Sequence, residues 1–148
     1  FEKNDNPLRA QDGYPIHAVT WADVQAVFDA IGAPPDANRF RYQLLLDGVP
    51  FREIHDYGVA YVNGVEVHFP KPCGRCEVTG IDQDKGEYSK TIKPLAGLAK
   101  LKMPRWQSNE NDEKQKDHIM GENLLAMGET IIRQGDIGCS ERGLDSFV

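Results

Sequence analysis

Residues 71–82 read Lys71-Pro72-Cys73-Gly74-Arg75-Cys76-Glu77-Val78-Thr79-Gly80-Ile81-Asp82. The first part follows an alternating apolar segment, and residues 77–81 have the β-branched composition of a strand. An Asp-Gln-Asp-Lys-Gly turn follows at residues 82–86. The pattern therefore predicts that two thiols and a guanidinium lie where one β-strand passes into the next.

The segment before the thiols is predicted to be a β-hairpin. Within residues 61–69, Asn63-Gly64 supplies the two positive-φ residues of a type I′ turn, with apolar residues on both sides. Further strands are predicted at residues 14–19, at residues 119–132 as a pair broken at Gly128, and at residues 137–139.

Residues 39–46 are also predicted to be a strand, because basic and aromatic residues alternate along the first half. In a strand, this alternation places Arg39, Arg41 and Gln43 on one face. Without further information, an equally good explanation is that the two arginines are solvated charges at a sheet edge. An Asp-Gly turn is expected directly after this strand.

Two helices are predicted. Thr20 and Asp23 have the spacing of a capping box, and Val24, Val27, Phe28 and Ile31 follow at helical periodicity until Gly32. A shorter helix is predicted over residues 94–101, with a proline in its first turn. Many short strands with two isolated helices indicate a mainly β (α+β) fold, a β-barrel with a few peripheral helices.

The remaining segments are predicted to lack regular structure. Residues 1–13 are interpreted as an arm, residues 105–117 as an exposed loop, and the last residues as a frayed tail. The acidic part of the loop, residues 110–117, could dock a partner, but a solvated loop is the simpler interpretation. His68 and His118 are interpreted as structural or surface residues.

Composition limits the function. The chain has 148 residues, a net charge of −6 and 3 cysteines, Cys73, Cys76 and Cys139. The negative charge argues against nucleic-acid binding, and no apolar run is long enough for a membrane span. The odd, sparse cysteine count is typical of a reducing compartment, so we expect a cytoplasmic or organellar protein.

The CxxC spacing of Cys73 and Cys76 leaves several functions open. It is half of a structural zinc site, but Cys139 and four scattered histidines form no second pair. A thiol–disulfide couple needs a helix after the thiols, where we predict a strand. A single thiolate could instead bind a soft metal centre, with Arg75 holding the anionic part of a cofactor. Two buried structural cysteines are the alternative without a function.

Several motifs together carry a resemblance to a known family. Residues 73–82 with Gly86-Glu87 match the pattern Arg-Cys-x-x-Thr-x-x-Asp-x-x-x-Gly, and residues 39–43 resemble Arg-Phe-Arg-Pro-Asn. Other landmarks follow in the same order: Tyr14-Pro15-Ile16 with residues 21–27, Phe51-Arg52-Glu53, residues 62–69, Pro94-Leu95-x-x-Leu98, Met120-Gly121-Glu122-Asn123 and residues 128–136. With these landmarks the chain resembles the MOSC domain of molybdenum cofactor sulfurases and amidoxime-reducing enzymes.

The resemblance implies a fold and a site. It implies a single MOSC-like domain over residues 1–148, without the N-terminal barrel segment of the family. It makes Cys76 the residue that ligates molybdenum or carries sulfur for it, and thus the catalytic residue. It also implies that molybdenum cofactor (molybdopterin) is contacted through the pterin and its phosphate by Arg41, Gln43, Gly74 and Arg75.

The resemblance implies a reductase of N-hydroxylated or S-oxidised small molecules. Such an enzyme needs an external electron-donor protein, since no flavin or nicotinamide motif is present. Two alternatives are a sulfur-transfer module with a persulfide on Cys76 and a cofactor-binding accessory domain without turnover. Pyridoxal phosphate binding is also implied. No nucleic acid or membrane partner is expected.

Overall fold

The computed structural model describes residues 14–103, 105–107, 116–140 and 143–146. The strands are β1 (Ile16–Thr20), β2 (Leu44–Leu46), β3 (Val59–Val62), β4 (Val65–Arg75), β5 (Ile81–Asp82), β6 (Glu87–Tyr88), β7 (Arg105–Gln107), β8 (Lys116–Ala126), β9 (Ile137–Ser140) and β10 (Gly143–Ser146). The helices are α1 (Trp21–Ile31) and α2 (Pro94–Lys100). Three short 3₁₀ turns occupy Ala37–Phe40, Glu53–Asp56 and Glu77–Gly80.

Most strands belong to one sheet of eight strands, in the order β10-β9-β3-β4-β8-β1-β2, with β7 also paired to β8. Only the β1–β2 pairing is parallel among the described strands of this sheet. The sheet curls into a half-barrel, and the fold is mainly β, as predicted. Neither described helix is both long enough and apolar enough to cross a bilayer.

Helix α1 begins and ends where the sequence predicts. The Thr20 hydroxyl accepts a hydrogen bond from the Asp23 backbone N–H at 3.0 Å, and Gly32 ends the helix at a φ of 68°. The Asp23 carboxylate accepts from the backbone N–H of Arg52 at 2.9 Å. One half of the predicted capping box is therefore present, while this acidic side chain also joins the helix to a distant segment.

The predicted hairpin is also present. Asn63 and Gly64 have φ angles of 49° and 79° and connect β3 to β4, as a type I′ turn requires. Strand β4 continues to Arg75 and pairs with β8, with irregularities between His68 and Lys71 and between Pro72 and Gly74. The second irregularity therefore lies at Cys73, the first of the two thiol-bearing residues.

Two hydrophobic cores lie on opposite faces of the sheet. Ala18 belongs to one core, with Leu46 and Ile54, and Val19 belongs to the other, with Phe28. Because successive residues of a strand point to opposite faces, β1 separates the two cores. The second core also contains Leu98 of α2, so both helices pack on the same face.

The strand predicted at residues 39–46 is wrong for its first half. Ala37–Phe40 form a 3₁₀ turn, Arg41 has a φ of 51°, and only Leu44–Leu46 are extended. The Asp36 carboxylate accepts from the Asn38 backbone N–H at 3.2 Å and starts the turn. Local side-chain capping therefore overrides the alternating pattern.

The strand predicted at residues 77–81 is also wrong. Glu77–Gly80 form a 3₁₀ turn, and β5 contains only Ile81–Asp82. The Thr79 hydroxyl and backbone N–H both donate to the Cys76 carbonyl, at 3.1 and 3.2 Å, and hold this turn. A helical turn thus follows the second thiol, where the sequence suggested extended chain.

Three predictions near the C-terminus need correction. Residues 105–107 and 116–117 belong to strands β7 and β8 rather than to a loop, and residues 108–115 lie outside the described residues. Residues 116–126 form one continuous strand that ends before Gly128, not a strand pair. The predicted tail contains β10, which pairs with β9. The predicted arm, residues 1–13, lies outside the described residues.

Candidate functional site

A pocket of about 190 Å³ opens at the C-terminal end of β4, beside β1 and the first 3₁₀ turn. We call it the thiol pocket, because Cys73 and Cys76 both lie in its wall. All five predicted site residues line it: Arg41, Gln43, Gly74, Arg75 and Cys76. The fold therefore brings together residues that are far apart in the sequence.

The two cysteines differ in exposure. Cys76 is exposed, at the junction of β4 and the 3₁₀ turn, whereas Cys73 is half-buried within β4. Residues three apart in a regular strand face opposite sides, but the register of β4 shifts between Pro72 and Gly74. This irregularity is consistent with both thiols lying in one pocket. They are not joined by a disulfide.

The Arg75 guanidinium is held by backbone carbonyls. Nε and Nη2 donate to the Met120 carbonyl at 2.8 and 2.7 Å, and Nη1 donates to the Phe40 carbonyl at 3.1 Å. The guanidinium carbon also lies 5.6 Å from the centre of the Phe40 ring. Carbonyls bind a guanidinium without neutralising its charge, so Arg75 braces three segments and remains a cation in the pocket wall.

His17 lies next to Arg75 and is buried. Nη2 of Arg75 contacts Nε2 of the imidazole and lies 3.3 Å from Nδ1. Burial and, secondly, the neighbouring Arg75 charge lower the pKa of His17 from 6.5 to about 3. His17 is therefore neutral at physiological pH and can accept a hydrogen bond from Arg75.

Arg39 is buried, contrary to the solvated position that the sequence left open. With 2 % of its side chain exposed, Arg39 lies 2.9 Å from an Asp36 carboxylate oxygen and 3.4 Å from one of Asp82. It also donates to the Gly80 carbonyl at 3.1 Å. Two carboxylates oppose its charge, so Arg39 mainly fixes the first 3₁₀ turn to the chain that follows the thiols.

Arg41 and Gln43 present donors to the pocket. Arg41 is exposed, and its side chain has no hydrogen bond or ion pair to any described residue. The Gln43 Oε1 accepts from the His17 backbone N–H at 2.7 Å, and the Gln43 N–H donates to the His17 carbonyl at 2.9 Å. These bonds fix Gln43 against β1, and its amide Nε2 has no partner within the described ranges.

Strand β8 contributes Asn123 to the lining of the thiol pocket. The Asn123 amide donates to the carbonyls of Lys71 and Pro72 at 3.3 Å each, at the irregular part of β4. Gly121 has a φ of 76°, and a Cβ there would lie 2.3 Å from the Ala18 carbonyl oxygen and 2.8 Å from His17 Nε2. A glycine is thus required for β1 and β8 to approach each other beside His17.

The charge of the pocket wall is opposite to that of the chain. Arg39, Arg41 and Arg75 line the thiol pocket, and no Asp or Glu is among its described lining residues. Asp36 and Asp82 oppose the charge of Arg39, so Arg41 and Arg75 supply the positive charge of the wall. The whole chain has a net charge of −6. A cleft lined by one sign of charge concentrates ligands of the other sign, so this pocket favours an anion.

The sequence was compared with models of known protein families. The MOSC domain matches residues 5–137, which is most of the chain. The chain belongs to the MOSC domain family. MOSC domains are associated with molybdenum cofactor binding and with sulfurase-like proteins. A search of curated proteins found no match to this chain.

Several lining residues of this MOSC domain pocket were not predicted as site residues, among them His17, Asn123 and Tyr14. A signal for His17 is present in the sequence, because it is a polar residue between the apolar residues Ile16 and Ala18 of β1. Its partners, Arg75 and Met120, are more than 50 and 100 residues away along the chain. Such contacts have no local signature.

A second buried polar cluster lies away from the thiol pocket. His55 Nδ1 is 2.6 Å from Glu122 Oε1, and the Glu122 side chain is 4 % exposed. Burial raises the pKa of Glu122, although the hydrogen bond to His55 opposes this. Burial also raises the pKa of Asp23. We call Asp23, His55 and Glu122 the acid cluster.

The other residues that could have been zinc ligands do not cluster among the described residues. His68 contacts Glu66 at the surface, and His118 is half-buried in β8. Within the described segments, no group of three or more His, Cys, Asp or Glu side chains is placed to hold a metal ion. These residues therefore give no support to the structural zinc alternative.

Proposed function

We propose that this MOSC domain binds molybdenum cofactor in the thiol pocket, with Cys76 as a ligand of the metal. The observation that supports the proposal most strongly is the exposed Cys76 thiol in a pocket that Arg41 and Arg75 also line, without carboxylates among its described residues. A thiolate is a soft ligand, and arginines recognise phosphate groups. The donor set therefore fits an anionic cofactor with a soft metal centre.

Different residues would hold different parts of the cofactor. Arg41 has unused donors in a planar arrangement that suits two phosphate oxygens at once. The unused Gln43 amide nitrogen would contribute a further donor to the pterin part. Arg75 would contribute its charge, because its Nε, Nη1 and Nη2 already donate to backbone carbonyls. Gly74 is exposed and lets the cofactor approach the backbone.

We further propose that the loaded domain reduces N-hydroxylated or S-oxidised small molecules. The cofactor, when bound, supplies two-electron redox chemistry, while the protein orients it and binds the substrate. Electrons would come from an external donor protein.

Activity of the loaded chain tests this proposal. The chain is purified from a host that makes molybdenum cofactor and is assayed with a chemical reductant and an N-hydroxylated substrate. We expect reduction that is lost in Cys76→Ser and retained in Cys139→Ser, since Cys139 lies in β9 outside the thiol pocket. Equal activity of the two variants would contradict the assigned role of Cys76.

Sulfur transfer is the second candidate, because the accessible Cys76 thiol could carry a persulfide. In that reaction the Cys76 thiolate attacks the outer sulfur of a donor persulfide. The donor S–S bond breaks, a new S–S bond forms on Cys76, and the donor leaves as a thiolate. Sulfane sulfur on Cys76 in a chain without bound molybdenum would favour this candidate. Cofactor binding without turnover would indicate an accessory domain.

Pyridoxal phosphate binding, which the family resemblance also implies, stays a prediction. Enzymes of this cofactor use a lysine to form a Schiff base. No lysine is among the described residues that line the thiol pocket. The pocket therefore supports molybdenum cofactor better than pyridoxal phosphate.

A further inference from the structure

Tyr14 lines the thiol pocket just before β1, and the proposed function gives this residue no role. Its side chain is half-buried, and its hydroxyl has no hydrogen bond to any described residue. Pro15 has a fixed φ, and Ile16 packs against the first hydrophobic core, so the chain that follows Tyr14 is held in place. The ring therefore belongs to the pocket without being needed as a hydrogen-bonding group of the described fold.

Phe40 is the other aromatic residue among the described residues that line the pocket, and its ring is already covered. Phe40 is 1 % exposed, and its ring packs edge-to-face against Phe28, with 6.2 Å between the ring centres. The guanidinium carbon of Arg75 lies 5.6 Å from the same ring. Among the described lining residues, Tyr14 is thus the one whose aromatic ring is left for a ligand.

A cation lies over the Tyr14 ring. Nζ of Lys71 is 5.6 Å from the ring centre, a distance at which an ammonium group is attracted to the π face. Lys71 is not among the described residues that line the thiol pocket, so this contact leaves part of the ring to the pocket. Lys71 belongs to β4, the strand that also carries Cys73 and Arg75. The contact therefore ties the ring to the strand that bears the site.

Tyr14 shares the pocket with an amide and a guanidinium. Gln43 is bound to the backbone of His17, three residues after Tyr14, so its amide lies beside β1. The Gln43 Nε2 and the Arg41 side chain have no partner within the described ranges. An aromatic ring binds flat heterocycles by stacking, and a guanidinium binds phosphate. Together these groups suit a planar nitrogen heterocycle that carries a phosphate.

We propose that the Tyr14 ring stacks on the planar pterin of the cofactor, while Arg41 binds its phosphate. The inference rests on the proposed function, because it assumes that a phosphorylated pterin occupies the thiol pocket. Inorganic phosphate has no flat face and gains nothing from an aromatic ring. Tyr14 therefore contributes to the binding of a phosphorylated pterin and not to the binding of phosphate alone.

Two probes test the inference on the cofactor-free full chain: 6-hydroxymethylpterin phosphate and inorganic phosphate, each titrated by NMR. We expect Tyr14→Leu, which keeps an apolar side chain and removes the ring, to weaken binding of the pterin phosphate about tenfold. Its affinity for inorganic phosphate should stay within about twofold of the wild type. Tyr14→Phe, which keeps the ring, should stay within about threefold for both probes, since the hydroxyl has no partner to lose.

Tyr61→Leu is the matched control for an exposed tyrosine. Tyr61 is 38 % exposed in β3 and is not among the residues that line the thiol pocket. Its replacement should leave the affinity for the pterin phosphate unchanged. An equal loss in the two leucine variants would reveal binding to exposed rings in general and overturn the inference. The inference is also wrong if Tyr14→Leu binds the pterin phosphate as tightly as the wild type.

Inorganic phosphate separates this inference from the proposed function. Arg41→Ala should weaken binding of both probes about tenfold, because it removes a charge-assisted hydrogen bond to phosphate. If the wild type binds neither probe, or if Arg41→Ala binds phosphate equally well, the proposed anion site is wrong. If the wild type binds phosphate but binds the pterin phosphate no more tightly, the stacking inference fails while the anion site stands.

A change in the shape of the pocket is distinguished in the same titrations. If Tyr14→Leu loses affinity for both probes to the same extent, Tyr14 maintains the pocket and does not stack on the pterin, which overturns the inference. Thermal unfolding of each variant controls for folding before titration. Should Tyr14→Leu fail to fold, Tyr14→Met takes its place, because methionine is also apolar and has no ring. The expected results are then unchanged.

Discussion

Two histidines of this MOSC domain lie against strand β8, and their partners carry opposite charge. His17 contacts the Arg75 guanidinium in the wall of the thiol pocket, whereas His55 lies 2.6 Å from the Glu122 carboxylate in the acid cluster. The β8 residues concerned are consecutive: Asn123 pairs with His17 and Glu122 with His55. Successive strand residues face opposite sides, so β8 separates the two regions.

The two sites show that the charge of the neighbouring side chain determines the role of a buried histidine. Beside a cation, His17 stays neutral and acts as an acceptor, which leaves the pocket a net positive charge. Beside a buried carboxylate, His55 joins the second 3₁₀ turn to β8, and that contact stabilises the fold without lining the thiol pocket. We therefore expect variants of the acid cluster to change stability and variants of the thiol pocket to change ligand binding.

The largest expected effect is at Gly121, which lies between the two regions. We expect Gly121→Ala to lower the free energy of unfolding by more than about 3 kcal/mol, because left-handed strain adds to a clash with the Ala18 carbonyl. Gly64→Ala is the matched control, since Gly64 has a φ of 79° but open space around it. It should lose about 1–2 kcal/mol in urea unfolding. Equal losses would show that the clash is unimportant.

The next effect concerns the acid cluster. We expect Glu122→Ala to lower the free energy of unfolding by about 3 kcal/mol, since it removes one partner of a buried pair and leaves His55 without its carboxylate. Glu66→Ala removes a carboxylate from an exposed contact with His68 and should change stability by less than about 1 kcal/mol. Weakened phosphate binding by Glu122→Ala at unchanged fold would contradict the separation of the two regions.

Arg41→Ala should weaken phosphate binding and leave stability nearly unchanged, the reverse of what we expect for Glu122→Ala. Because Arg41 is exposed, its removal should change the free energy of unfolding by no more than about 0.5 kcal/mol while phosphate affinity falls about tenfold. Arg133→Ala removes the same charge from an exposed position outside the thiol pocket and is the control for net charge. A similar loss of affinity in both variants would indicate a general charge effect instead of a site.

The smallest effect is a dependence of stability on pH. Burial raises the pKa of Asp23 above 3.8, so the folded state binds this proton more tightly than the unfolded state does. The contribution of Asp23 to stability therefore falls as the pH rises from its ordinary pKa through the raised value. Asp23→Asn keeps an acceptor for Arg52 and has no proton to release. Urea unfolding between about pH 4 and pH 8 should show Asp23→Asn gaining stability relative to the wild type as pH rises. A relative loss would contradict this.

Local signals in the sequence were sufficient for part of the fold. The hydroxyl of Thr20, the positive φ of Gly32 and the Asn63-Gly64 turn act within a few residues, so helix α1 and the β3–β4 hairpin could be predicted. The motif around Cys76 also led to the family and to a set of residues that line one pocket.

Other parts depend on contacts that no local pattern contains. The alternation of residues 39–43 fits a strand, but Asp36 starts a 3₁₀ turn there. The buried Arg39 side chain is bound to Asp82, which lies 43 residues further along the chain. His17 has an ordinary place in an apolar strand, and only the folded chain brings Arg75 to its ring. The motifs therefore predicted residues that line one pocket, but not the backbone conformation of those residues.

The central claim is that Cys76 and the arginines around it hold the cofactor. The most direct test is the molybdenum and pterin content of the wild type, Cys76→Ser and Cys139→Ser, each purified from a host that makes molybdenum cofactor. We expect molybdenum and pterin in equal amounts in the wild type and in Cys139→Ser, and a loss of molybdenum in Cys76→Ser. Molybdenum retained in Cys76→Ser, or absent from all three proteins, would contradict the account.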